Sequence, residues 1–158
     1  MPEERADVRR RRRAVAEAKS QLRNLRIELA MLNHRIGLRA ELKDADLDCL
    51  DMLVRHGSMS PSELSRRTGI HAATMTGILG RLERDGWIVR DRAVDDRRAV
   101  VVTPVAERVR DIFGLYGGMN SALDEILGHY SEAELGVIVD FLKRCTDAGR
   151  KATDDLES

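Results

Sequence analysis

The stretch SMSPSELSRRTGIHAATMTGILGRLERDGW, residues 58–87, leaves its backbone few choices. Ser60 suits a helix N-cap, Pro61 the first helical position, where its missing N–H costs nothing, and Glu63 the reciprocal capping position. The helix begun there carries Leu64 inward and Arg66 and Arg67 outward, and it stops at Gly69. After Ile70 a second helix is expected to start near His71, run to Asp85 and close at Gly86. Met75, Ile78, Leu79 and Leu82 recur with the helical period and mark its buried face. Ala73, Thr76, Gly77, Gly80 and Arg84 point the opposite way, with Thr74 and Arg81 on the shoulders. Two short helices joined at a tight glycine turn form a helix-turn-helix pattern, whose second helix can enter a DNA major groove. An outer face of small side chains lets that helix's backbone come close to base edges.

On the C-terminal side, the β-rich run WIVRDR, from Trp87 to Arg92, is followed by a polar tip and a second β-branched run, Ala99 to Val102. The tip holds Asp95, Asp96, Arg97 and Arg98. Such a hairpin is a wing: an arginine at its end can reach phosphates or a narrow minor groove, and a neighbouring aspartate can hold that arginine extended. On the N-terminal side, Leu47, Leu50, Leu53 and Val54 define a short helix ending at His56-Gly57.

The ends of the chain are striped. Val8, Val15, Ala18, Leu22, Leu25, Leu29, Leu32 and Ile36 place an apolar seam on a long first helix. The rhythm returns from Val105 to Tyr130 and again from Leu135 to Leu156. Gly114, Gly117 and Gly118 interrupt the second stripe, where a kink or a close backbone crossing is expected, and Ser131 to Glu134 reads as a capping box that restarts the chain. An intramolecular bundle would cover these stripes, but a lone helix of that length has little of its own to pack on. An intertwined homodimer is the favoured reading. The expected fold is therefore mainly α with a small β-hairpin wing: a winged helix-turn-helix over 44–103, between a basic arm and long dimerisation helix over 1–43 and C-terminal dimerisation helices over 104–158.

The 158 residues carry no net charge, yet its distribution is uneven. Residues 1–43 hold 12 Lys/Arg against 6 Asp/Glu, residues 64–103 hold 8 against 5, and residues 104–158 hold 6 against 11. A polyanion feels such local patches, because screening hides charges beyond about 10 Å in ordinary salt. The arginines Arg9 to Arg13 read either as an arm reaching for DNA or as a solvated helix start. No run approaches the ~20 apolar residues of a membrane span, and a cytoplasmic location is expected. Cys49 and Cys145 fall in apolar rhythms and read as small buried hydrophobes. His34, His56, His71 and His129 are scattered, and nothing pairs as nucleophile with base, so neither a metal site, a cofactor nor an enzyme is expected.

From about residue 44 to 110 the chain resembles the MarR family of bacterial transcriptional regulators. The run LDCLDMLVRHGSMSPSELSRRTGIHAATMTGILGRLERDGWIVRDRAVDDRRAVVVTP follows that family's order: a helix, the helix-turn-helix, a glycine before the first wing strand, Asp-x-Arg in the wing, and Thr-Pro opening the next helix. The resemblance implies a homodimer on an imperfect palindrome of double-stranded DNA, most simply a repressor. Asp96 and Arg98 match the wing's Asp-x-Arg with Arg97 between them, and Thr74 and Thr76 match small polar positions of the recognition helix. Ser60, Ser62, Arg66, Arg67, His71, Ala73, Gly77, Arg81 and Arg84 complete the expected DNA-facing set. Three departures stand out: His71 replaces a serine-like cap, Gly77 replaces a frequent arginine, and the second strand is expected to be two residues short. By the same analogy Leu22, Arg26, Met52, Met59 and Tyr116 would line a crevice for an aromatic or phenolic effector that releases DNA. The rival reading is a winged-helix protein-interaction module that has lost DNA binding.

Overall fold

A computed structural model of the chain describes residues 2–92 and 100–157. Its elements are α1 (Pro2–Ala40), α2 (Asp44–His56), α3 (Pro61–Thr68), α4 (Ala72–Arg84), β1 (Ile88–Arg92), β2 (Val100–Pro104), α5 (Ala106–Gly114), α6 (Gly117–Leu127) and α7 (Glu132–Glu157). They fall into two compact units, one ending at Phe113 and one beginning at Gly114.

The first unit is built around the helix-turn-helix. α1 ends in a tight turn in which Glu41 takes a positive φ of 58° and the Leu42 N–H donates to the Gly37 carbonyl at 2.9 Å. A Cβ at Gly37 would lie 2.8 Å from the Leu42 carbonyl oxygen, so only glycine fits this close approach. α2 then buries Leu47, Cys49, Leu50 and Leu53, while Val54, expected on the same face, is exposed. At the start of α3 the Ser60 hydroxyl accepts the Glu63 N–H at 3.2 Å, as the sequence predicts. Gly69 closes α3 in the left-handed region with φ 69°. α4 buries the four expected residues, Met75, Ile78, Leu79 and Leu82. These pack with Leu50, Leu53, Leu64, Ile88 and Val102 in an aliphatic core. Each such side chain stabilises the fold by about 1.5–3 kcal/mol through burial.

The chain leaves α4 through Gly86, φ 75°, and Trp87, whose N–H donates to the Leu82 carbonyl at 2.8 Å. β1 and β2 pair antiparallel, from Ile88 opposite Pro104 to Arg92 opposite Val100. Met59 adds a single bridge to the outer edge of β2, exchanging two hydrogen bonds with Val102. One expectation is corrected here. Thr103 and Pro104 belong to β2 rather than opening α5, because Thr103 faces the α2–α3 loop and its hydroxyl meets that of Ser58 at 2.8 Å. β1 and β2 each span five of the described residues. α5 packs within this unit through Val109 and Ile112, and Arg108 lies 4.2 Å over the Trp87 ring.

In the second unit, the Ser131–Glu134 capping box forms in full. Ser131 N–H donates to the Glu134 carboxylate at 2.8 Å, and Glu134 N–H donates to the Ser131 hydroxyl at 3.4 Å. Among the described residues neither α6 nor α7 has a fully buried side chain; Ile126, Val137, Phe141 and Leu142 are exposed. The glycine-rich stretch is a helix break at Leu115-Tyr116, and a Cβ at Gly114, Gly117 or Gly118 would meet nothing within 4 Å among the described residues. Among those residues no helix is long and apolar enough to cross a membrane.

Candidate nucleic-acid interface

α4 presents one face to the core and the opposite face to solvent. Ala73, Thr74, Thr76, Gly77 and Gly80 are all exposed. A Cβ at Gly80 would meet nothing within 4 Å, and one at Gly77 only the Arg81 guanidinium at 3.9 Å. No internal packing therefore demands these glycines. The Thr76 hydroxyl donates back to the Ala72 carbonyl at 3.0 Å, leaving its methyl group and oxygen lone pairs outward. At the helix start the His71 ring Nδ1 accepts the Ala73 N–H at 3.3 Å, so the imidazole does the work of the expected serine-like cap.

The arginines around this face are already engaged. Arg66 and Arg67 both bind the Glu63 carboxylate, which holds Glu63 below the ordinary carboxylate range and raises Arg66. The sequence predicts that Glu63 reaches back toward Ser60; charge-assisted bonds from two arginines, Arg66 and Arg67, claim its oxygens instead. Arg84 pairs with Asp85 at 2.9 Å, and that bond raises its pKa. These pairs lie at the surface, with Glu63 half-buried and the other partners exposed, and a surface ion pair contributes at most about 1 kcal/mol. A phosphate can displace such partners.

Arg81 is different. Its Nη2 lies 2.7 Å from Asp46 Oδ1, and the Asp46 side chain is only 4% exposed. Sequence reasoning missed Asp46, although it shares a helical face with Leu50 and Leu53, both core residues. The wing residues Asp96, Arg97 and Arg98 lie outside the described residues. At the base of the wing, Arg90 pairs with Glu83 at 3.1 Å and Arg92 is exposed. Ser60 is half-buried as a cap and Ser62 is exposed beside it.

The residues expected around an effector are dispersed among several elements. Leu22 and Arg26 lie on the exposed middle of α1, Met52 is half-buried on α2, and Tyr116 belongs to the second unit. Met59 is buried and bound to Val102, which gives it a structural task in the sheet. Cys49 is fully buried, its thiol directed at the Met75 sulfur at 3.9 Å, and burial pushes its pKa up to about 12. A thiol so protonated is a poor nucleophile. Among the described residues no three His, Cys, Asp or Glu side chains are placed to hold a metal ion.

A helix-turn-helix followed directly by a two-stranded ribbon, with an outward face of small side chains on the second helix, defines a winged helix-turn-helix protein. Residues 42–100 match the family model described as MarR family. Over this domain the chain is similar to the MarR family. It is 29% identical over 112 residues to YcgE of Bacillus subtilis, an uncharacterised HTH-type transcriptional regulator, covering 71% of this chain and 73% of that one. It is 30% identical over 84 residues to the transcriptional repressor YetL of the same organism, covering 53% of this chain and 50% of that one. It is 29% identical over 164 residues to the transcriptional activatory protein BadR of Rhodopseudomonas palustris, covering 90% and 93%. Among solved structures, a MarR family protein from Bacillus stearothermophilus superposes with a TM-score of 0.68 at 23% identity over 87% of this chain and 96% of its own. NadR, solved in complex with 4-hydroxyphenylacetate, superposes with a TM-score of 0.62 at 24% identity over 79% and 89%. At such identities the superpositions speak for the fold.

Proposed function

We propose that this chain is a transcriptional repressor that binds an imperfect DNA palindrome as a homodimer. The observation that carries this reading is the outer face of α4: exposed, small and free of internal packing duty from Ala73 to Gly80. In this reading α4 lies in the major groove, with Ala73, Thr74, Thr76 and Gly77 at base edges and His71, Arg84, Ser60 and Ser62 near the backbone. Arg66 and Arg67 exchange Glu63 for phosphate. Asp96, Arg97 and Arg98 are assigned to flanking minor groove or phosphates on the strength of the family's wing pattern. The exposed apolar stripe of α1 and the apolar side chains of α6 and α7 supply the dimer surface.

Repression is chosen over activation because a protein gripping promoter DNA blocks polymerase without any further contact; YetL's name agrees with that choice and BadR's does not. An aromatic or phenolic effector, proposed by analogy with NadR, would act by favouring the dimer conformation whose reading heads no longer match the groove spacing. The test is titration of the purified protein onto the DNA upstream of its own gene across a range of salt. Affinity should fall with a log–log slope of roughly 0.9 per phosphate contacted. Salt-independent or absent DNA binding, together with capture of a partner protein, would instead establish the protein-interaction reading. A reporter driven from the same DNA should rise when the gene is deleted, and a fall would assign activation.

A further inference from the structure

We propose that Arg81 is a positioning residue of the recognition helix: locked to buried Asp46, it fixes α4 to the α1–α2 joint rather than touching DNA. The inference rests on the DNA-binding reading above and deepens it.

Two elements meet at one carboxylate, and α1 packs beside it. Asp46 Oδ1 takes Arg81 Nη2 at 2.7 Å, and Asp46 Oδ2 takes the Lys43 N–H at 3.2 Å, so one oxygen holds α4 while the other holds the first turn of α2. Next to Asp46, Leu47 packs against Gly37 on α1, within 3.2 Å of where a Cβ would stand, and the Gly37 carbonyl receives the Leu42 N–H. A shift of the end of α1 therefore reaches Asp46 through rigid neighbours. Arg81 carries it into the last turns of α4, where its own carbonyl accepts the Asp85 N–H at 2.9 Å.

The burial is asymmetric: 4% exposure for the Asp46 side chain against 33% for Arg81. Were Arg81 to turn toward a phosphate, Asp46 would be left as an uncompensated buried charge, which is far more costly than losing an exposed pair. Arg66, Arg67 and Arg84 face a smaller penalty, since Glu63 and Asp85, 30% and 42% exposed, keep contact with water when released. The four arginines of the helix-turn-helix are thus divided by chemistry into three available to phosphate and one retained by the fold.

The test compares wild type with Asp46→Asn, Arg81→Gln, Arg81→Lys and the Asp46→Asn/Arg81→Gln double variant, each checked for folding by circular dichroism. Operator affinity is measured against salt, and amide exchange is followed without DNA. Asp46→Asn and Arg81→Gln should each weaken binding about tenfold with the salt slope unchanged. The double variant should be no worse than the weaker single one, as expected for two groups acting as a pair. Arg81→Lys, which keeps the charge and can still reach the carboxylate, should recover part of the loss. Exchange should rise together in α4 and the last turn of α1.

A phosphate contact gives the opposite pattern: Arg81→Gln lowers the slope by about 0.9, while Asp46→Asn, which frees a cation, leaves binding as tight or tighter. That result overturns the proposal, as does unchanged exchange in α4. A lower melting temperature with wild-type affinity in the folded protein also overturns it. If Arg81→Gln does not fold, Asp46→Asn alone still decides by the direction of its affinity change. Failure of the wild type itself to bind DNA counts against the function, and the exchange readout still judges the pair.

Discussion

His71 shows what a single side chain can do at a helix start. Its Nδ1 occupies the acceptor position that serine takes at the head of α3. Replacement by alanine should cost about 1 kcal/mol, and replacement by serine should preserve stability; urea titration of the two variants checks this, and equal midpoints for alanine and histidine would deny the cap any role. Asp48 offers a pH test. Burial, then Asp44 and Asp51, raise its pKa, with the Asn33 side chain opposing. An acid raised on folding favours the fold at low pH and disfavours it as pH rises through its folded value. Asp48→Asn should therefore stabilise the fold at pH 7, by less than about 1 kcal/mol given its exposure, seen as a higher melting temperature, and the gain should vanish below the ordinary aspartate range. Caps of this kind were legible in the sequence because Ser60 and the Ser131–Glu134 box act within one helical turn. The Asp46–Arg81 pair spans 35 positions, and no local rule reports it.

At the level of elements, α4 carries a conflict between stability and use. Gly77 and Gly80 sit mid-helix in open space, where each glycine costs about 1 kcal/mol relative to alanine. Gly77→Ala and Gly80→Ala should both raise thermal stability, while a methyl on the groove-facing side weakens DNA binding severalfold. Gain in stability with unchanged affinity would remove that face from the interface. Gly37 behaves oppositely: its alanine variant forces a methyl against the Leu42 carbonyl and should destabilise by about 1–3 kcal/mol, read by denaturation. The elements themselves followed from periodicity, since Met75, Ile78, Leu79 and Leu82 recur on one face. Thr103-Pro104 was misread because it looks like a helix start; the bond from Thr103 to Ser58 and the Met59 bridge, both contacts distant in sequence, extend the strand instead.

For the molecule as a whole, the exposed apolar side chains of α1, α6 and α7 were legible as stripes, and the proposed dimer would cover them. Val109 and Ile112, counted among the dimerisation stripes, are instead buried within the first unit by α5. The paired subunits proposed here should present two copies of α4 to successive major grooves on one side of a duplex, with half-sites about 10–10.5 base pairs apart or a multiple of that. Protection mapping on the DNA upstream of the gene, with mass measurement of the complex, tests this most directly. Two protected half-sites bound by one dimer are expected. A stable monomer, or a duplex left unprotected even at low ionic strength, would contradict it.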